Sequence, residues 1–301
     1  MKSALKIFNY CLVLIVVIST HCSAQGLLIG KNNYQFGSEF FYSSYKSVFD
    51  MDGERKLSPK VLHSGVNLNF IAGLHERWNL LANVPFIYNR VESSNDPGGI
   101  SKSQSELKQG DLELGLKFSL PSNAAWHSCF TLWQSLGTAY RDKTAFLHTG
   151  YADYNSRLYF DVMYKKSESV SMAVYSGFNK RNKDNSDEFH AGIYSSFKLK
   201  GSVFLDVRAD MIYALENQSE LPIYYELGLF HNNARLVSGS VVLRYDWKNK
   251  MSAFVGYKEH LRGQYIFTGP VLSVGINFKI NCVKDEKVVT DSTTTSYRYL
   301  Y

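Results

Sequence analysis

In VFLDVRADMIY (203–213) ionisable side chains stand at every second position: Asp206, Arg208 and Asp210. A wider form of the same spacing puts Glu113 and Lys117 in GDLELGLKFSL (110–120), and Arg157 and Asp161 in YNSRLYFDVMY (154–164). Glu226, Arg244 and Lys258 extend the set. Residues an even number of positions apart on an extended chain share a face. On the walls of an enclosed passage such charges could form a selectivity constriction, or equally a hydrated salt-bridge lattice that stiffens the wall. Their mixed signs argue against strong ion selectivity. Asp111 could hold a ligand or cation at the mouth of such a passage. The plainer reading is that Gly110 permits a loop-to-strand corner and Asp111 satisfies backbone donors there.

Hydrolytic chemistry finds less support. His127, Ser128 and Cys129 are neighbours, but on a strand His127 and Ser128 point to opposite faces and cannot form a nucleophile pair. His63, His190 and His260 are single, without a partner in sequence. A triad assembled across strands stays open as the third functional reading. No phosphate loop, zinc spacing or calcium loop is present, so no cofactor and no metal are expected. Basic residues are scattered among acids, without the stripe that nucleic acid requires, so no nucleic-acid partner is expected.

The faces opposite these charges fix the elements that must carry them. Leu112, Leu114, Leu116, Phe118 and Leu120 oppose Asp111, Glu113, Gly115, Lys117 and Ser119. In VLHSGVNLNFIAG (61–73), Leu62, Val66, Leu68, Phe70 and Ala72 oppose His63, Gly65, Asn67 and Asn69. In WNLLANVPFIYN (78–89), Trp78, Leu80, Ala82, Val84, Phe86 and Tyr88 oppose Asn79, Asn83 and Asn89. Pro85 lies on the polar face, lacks a donor, and predicts a bulge or local break. A water-soluble sandwich also alternates, but its strands are usually shorter and its outer face rich in charge. Here one face of each strand carries no charge, as a bilayer demands, because a charge near the midplane costs about 2–4 kcal/mol. Trp78 and Trp126 each follow a short connection, where a headgroup belt places amphipathic rings. Aromatics make up 15% of the chain, which favours strands.

Residues 1–24 read as a signal peptide: Lys2 and Lys6, a short apolar run from Cys11 to Ile18, then CSA before the cut. The net charge of +6 includes those two lysines. Beyond the leader no apolar run is long enough for a membrane helix. Two cysteines remain, Cys129 and Cys282, too few for a disulfide scaffold, and whether they pair is left open.

Connections alternate in length. LHER, PSNAA, KKSES and LKGS are short; 91–109 and the segment around Arg141 to Tyr151 read as long loops. Short turns on one side and long loops on the other are the habit of outer-membrane barrels. About thirteen segments fit the alternation, whereas a closed bacterial barrel needs an even number. Either one candidate around Tyr224 to Leu243 is misread, leaving twelve, or TTTSYRYLY at the end adds a fourteenth. The expected fold is all-β, a transmembrane up-and-down antiparallel barrel over 25–280 with about twelve strands and a polar tail over 281–301. Its place is the outer membrane of a Gram-negative (diderm) bacterium.

ERWNLLANVPFIYN, a long polar loop and GDLELGLKFSL together give a strand, a Val-Pro-aromatic step, and Gly-Asp-Leu opening the next strand. Over roughly Leu68 to Leu120 this resembles the bacterial outer-membrane family linked to the MetA pathway of phenol degradation. The resemblance implies a transporter, with hydrophobic or aromatic compounds as cargo. The residues themselves leave three classes: a channel for small solutes, a structural or assembly-related barrel acting through its loops or tail, and a barrel-type hydrolase. The expected partners are outer-membrane lipid, a small-molecule solute and the barrel-assembly machinery. Asn67, Asn69, Asn79 and Asn83 make the expected passage polar. The aromatics of inward parity, Trp133, Tyr159, Tyr175, Tyr194, Phe204 and Phe254, either gather at one height as a site for a small amphipathic solute or merely fill space between charged rows.

Overall fold

The computed structural model describes residues 28–50, 52–93, 102–121, 125–139, 154–167, 169–182, 186–215, 234–247, 250–264 and 266–281. The leader, the tail from Cys282 onward, Glu226 and the loop from Arg141 to Tyr151 lie outside the described residues.

Among the described residues all regular elements are strands: β1 (Asn33–Phe49), β2 (Arg55–His75), β3 (Trp78–Ser93), β4 (Lys102–Gln109), β5 (Glu113–Ser119), β6 (Trp126–Ser135), β7 (Ser156–Lys165), β8 (Val170–Lys180), β9 (Glu188–Lys200), β10 (Val203–Ala214), β11 (Arg235–Trp247), β12 (Met251–Gln264), β13 (Ile266–Thr268) and β14 (Val271–Asn281). Each pairs antiparallel with its neighbours, and β1 pairs with both β2 and β14, which closes the sheet on itself. Closure leaves no unpaired edge, the condition for spanning a bilayer with strands.

Fourteen strands make twelve staves, because two staves are broken. β4 and β5 both pair with β3, at Phe86–Ser93 and Trp78–Asn83 respectively. The break faces Pro85. Two residues of β3, Val84 and Pro85, stand opposite three, Gly110, Asp111 and Leu112, and one bond survives from the Gly110 N–H to the Pro85 carbonyl at 2.8 Å. The missing proline donor thus falls on the side of the broken stave, as its ring chemistry requires. β13 and β14 likewise both pair with β1, and the break between them carries Gly269 and Pro270.

One sequence expectation fails. The segment 91–109 is not all loop: β3 runs on to Ser93, and Lys102–Gln109 forms β4. β4 pairs only with the far part of β3, on the long-loop side. A tilted strand needs about 9–11 residues to cross the bilayer, so this pairing lies past the apolar band. A strand bathed in water on both faces has no reason to alternate, and KSQSELKQ does not.

The connections of 76–77, 120–125, 166–169, 201–202 and 248–250 all lie at one end of the barrel. The others are made at the opposite end. Apolar side chains of outward parity are exposed along the staves, among them Phe40, Leu68, Leu80, Leu114, Leu116, Leu132, Val174, Ile193, Val241 and Ile276. Trp78, Trp126 and Trp247 are exposed outward at the short-turn end. Trp78 packs on Phe118 at 4.6 Å between ring centroids, and Trp126 on Tyr164 at 4.7 Å. Three of the four tryptophans therefore mark one rim.

Candidate functional site: the barrel lumen

The fourth tryptophan points inward. Trp133 (β6), Tyr159 (β7), Tyr175 (β8) and Leu81 (β3) form one buried cluster, with Ile71 (β2) packed against it. Local sequence makes room for these rings. The register partner of Trp133 is Gly115, that of Tyr159 is Gly177, and one of Tyr175's is Gly192. A methyl group at Gly115 would sit 2.8 Å from the Trp133 ring, and at Gly177 or Gly192 it would overlap the tyrosine rings outright. Each aromatic thus lies across a bare stretch of backbone instead of standing out into the bore.

Charged side chains interlock around this slab. Lys117 Nζ lies 3.5 Å from Asp161 Oδ1, the pair spanning from β5 to β7 across β6. Arg157 pairs with Glu113 over the same gap, and Asn83 Nδ2 donates to Glu113 Oε2 at 3.1 Å. Arg208 donates through Nε to Asp210 Oδ1 at 2.5 Å and through Nη2 to the Tyr175 hydroxyl at 3.2 Å. The Tyr175 hydroxyl donates in turn to Asp210 Oδ1 at 2.5 Å. Asp206 accepts from Arg244 Nε at 3.0 Å and from the Ser196 hydroxyl, and Arg244 Nη1 also reaches Asp246 Oδ2 at 2.5 Å. Lys117 is only 2% exposed and Arg157 7%, so these ions meet one another far more than they meet water. Ions so placed need partners, since a lone buried charge is costly.

A second network was not legible as a site in the sequence. Glu188 accepts from Arg181 Nη1 at 3.0 Å and Asn179 Nδ2 at 2.8 Å, and pairs with His190 Nε2 at 3.0 Å. His190 Nδ1 shares a 2.8 Å hydrogen bond with the Tyr159 hydroxyl. His190 is therefore not the unpartnered histidine that its isolation in sequence implies. The available signal was Glu188-x-His190, two polar groups on one face of a strand, whose other partners are Tyr159 of β7, Asn179 of β8 and Arg181 just after β8.

Across the bore the wall changes character. Phe41, Tyr45, Val48, Val61, Ile87, Phe267 and Val271, from β1, β2, β3, β13 and β14, form a buried apolar cluster. Two histidines border it. His63 lies 4.9 Å from the Phe41 ring and shares a 2.6 Å hydrogen bond with Asn89 Oδ1. His260 stacks on Tyr45 at 6.0 Å and donates from Nδ1 to the Phe267 carbonyl at 2.8 Å.

The remaining sequence candidates fall as follows. Asn67, Asn79 and Asn83 are buried, and Asn69 is half-buried opposite Asn83. Asp111 accepts from the Ala139 N–H at 3.0 Å, while the Thr138 hydroxyl accepts from the Leu112 N–H at 2.7 Å, so side chains close the gap in the broken stave. Of the six inward aromatics, Trp133, Tyr159 and Tyr175 come together. Phe204 sits apart, 4.5 Å from the Arg244 guanidinium and 5.9 Å from Lys198 Nζ. Tyr194 opposes Arg208, and Phe254 lies across Gly275. His127 is buried while Ser128, next to it, is half-buried on the other face. Cys129 is a buried free thiol. Among the described residues no group of His, Cys, Asp or Glu could hold a metal ion, and no helix is long and apolar enough to cross a membrane.

No protein-family model and no curated protein sequence matches the chain. Solved structures do. The COG4313 outer membrane channel from Pseudomonas putida F1 aligns with a TM-score of 0.68 at 14% identity, covering 88% of this chain and all of that one. The NanC porin aligns at 0.49 and 7% identity over 81% of this chain and all of its own, and the KdgM porin at 0.47 and 10% over 82% and 98%. At this level of identity the first likeness establishes a shared fold, a closed antiparallel β-barrel.

Proposed function

We propose that this protein is an outer-membrane channel of a diderm bacterium that passes small solutes through its lumen. The observation that carries the reading is the composition of the inner wall. A cluster of aromatic rings is set among paired charges and asparagines, within a barrel whose outer face is apolar. A solute with an apolar ring and a polar substituent finds a partner for each part on such a wall. In this reading Trp133, Tyr159 and Tyr175 contact the ring. Asn67, Asn69, Asn79, Asn83, Asp111, Glu113, Lys117, Arg157, Asp161, Tyr194, Asp206, Arg208 and Asp210 line the path. The resemblance of Leu68–Leu120 to the MetA-pathway phenol-degradation family agrees with aromatic cargo, and the fold shared with an outer-membrane channel agrees with passage. The role is transport, not catalysis: the ionisable groups are spent on one another. Residues 1–24 act as the export signal, and insertion runs through the barrel-assembly machinery.

Liposome swelling and tryptophan fluorescence test this together. Purified barrel is expected to admit small solutes, and phenol-like compounds are expected to quench or shift Trp133 emission where sugars do not. Folded protein that admits nothing would overturn the reading. A second reading, an anchoring barrel acting through its loops or tail, draws on how closely the lumen side chains pack, and that same result would favour it.

A further inference from the structure

The two rims of the barrel differ in charge. The described residues of the five short connections and their flanks carry Arg77, Lys165, Lys166, Lys200 and Lys250 against Glu76. At the other end the described connection over 50–54 carries Asp50, Asp52 and Glu54, with Lys56 paired to Asp50 and Glu54. Among the described residues Arg77, Lys166, Lys200 and Lys250 are exposed, whereas Asp246, close by, is buried in its pair with Arg244. The exposed tryptophans Trp78, Trp126 and Trp247 stand at the same end, Trp78 next to Arg77 and Trp247 three residues before Lys250. Indole rings settle at the headgroup level, so they fix the height at which these cations sit.

We propose that the short-turn rim is a docking surface for anionic phospholipid headgroups of the periplasmic leaflet. The proposal rests on the transmembrane placement of the barrel, not on solute passage. Cations held at headgroup height attract anionic lipid and favour it over zwitterionic neighbours.

The test uses the intact Trp133→Phe barrel in phosphatidylcholine vesicles, so that Trp78, Trp126 and Trp247 are the reporters. Brominated phosphatidylglycerol and brominated phosphatidylcholine are added at equal fractions and their quenching compared. At low ionic strength the anionic quencher is expected to be about five-fold enriched at the rim, the factor corresponding to about 1 kcal/mol per contact near a charged surface. In 1 M salt, where screening reaches about 3 Å, the two lipids should converge. Arg77→Gln, Lys166→Gln, Lys200→Gln and Lys250→Gln combined should lower the enrichment at low salt, with heat-modifiable gel migration confirming the folded barrel. Equal quenching by both lipids at low salt overturns the proposal without reference to any variant. Equal quenching together with retention on purified cell-wall sacculi would assign the rim to an acidic glycan instead and overturn it as well.

Discussion

Two arcs of the inner wall solve the same problem in opposite ways. The arc from β5 to β11 is lined by ions that bind one another, such as Lys117 with Asp161 and Arg208 with Asp210. The arc from β12 round to β3 carries Phe41, Tyr45, Val61, Ile87 and Val271, packed as in a soluble core beside the buried asparagines of β2 and β3. Both arcs are buried, yet one owes its order to directional pairing and the other to shape. The charged arc is brittle, because each member depends on a particular partner, two staves away for Lys117 and on the same strand for Arg208. The apolar arc is tolerant, because each member has several. The aromatic slab joins them: Leu81 and Ile71 belong to β3 and β2, while Trp133, Tyr159 and Tyr175 belong to β6, β7 and β8.

The sharpest way to break this contrast is at Lys117. Lys117→Met leaves the Asp161 carboxylate, itself 3% exposed, without its cation and should cost about 3–5 kcal/mol in urea unfolding from vesicles. Lys117→Met with Asp161→Leu should recover most of that loss. If the single and double variants unfold alike, the pair is not what holds the arc. Ile87→Ala should cost about 2–5 kcal/mol by leaving a cavity, but no second substitution of a charged residue should rescue it. That difference in rescue, more than the size of either loss, separates the two arcs.

The junction gives a smaller effect with a functional readout. Gly177→Ala forces the Tyr159 ring off the wall and away from His190, at about 1–3 kcal/mol. Single-channel recordings should show a lower conductance in the folded variant, and an unchanged conductance would remove Tyr159 from the path. The smallest expected effect lies at the β1–β2 hairpin, on the apolar arc's outer edge. Asp50 accepts from the Glu54 N–H at 2.8 Å and the Asp52 N–H at 3.0 Å, and the Lys56 ammonium beside it, first of all, holds its carboxyl below the ordinary 3.8. A depressed carboxyl supports the fold above its unfolded value and loses that support as pH falls through the folded one. Amide exchange at Asp52 and Glu54, corrected for its intrinsic pH dependence, should therefore quicken only below that ordinary value. Faster exchange already at neutral pH would show that the hairpin does not depend on this carboxylate.

Much of this architecture is legible in the sequence, for reasons that particular residues make clear. The apolar face of Leu114, Leu116 and Phe118 reveals its strand because lipid tolerates no charge there. Pro85 announces the broken stave because a missing N–H cannot be hidden in a ladder. The inward parity of Lys117, Arg157, Asp161 and Arg208 follows from the same alternation. Other features stay hidden because alternation is silent about them. Leu81 and Ile87 are apolar among the outward residues' apolar neighbours, so WNLLANVPFIYN conceals two members of the inner clusters. β4 is polar on both faces and reads as loop. The pairing of His190 with Tyr159, and the seating of each ring on a glycine, need the register between strands, which no single strand contains.

Conductance in planar bilayers tests the central claim most directly. Folded wild-type barrel is predicted to give discrete conductance steps, small because the lumen side chains pack closely, and partly blocked by a phenol-like solute but not by a sugar of similar size. Folded, inserted barrel that leaves the membrane no more conductive than lipid alone would contradict the account.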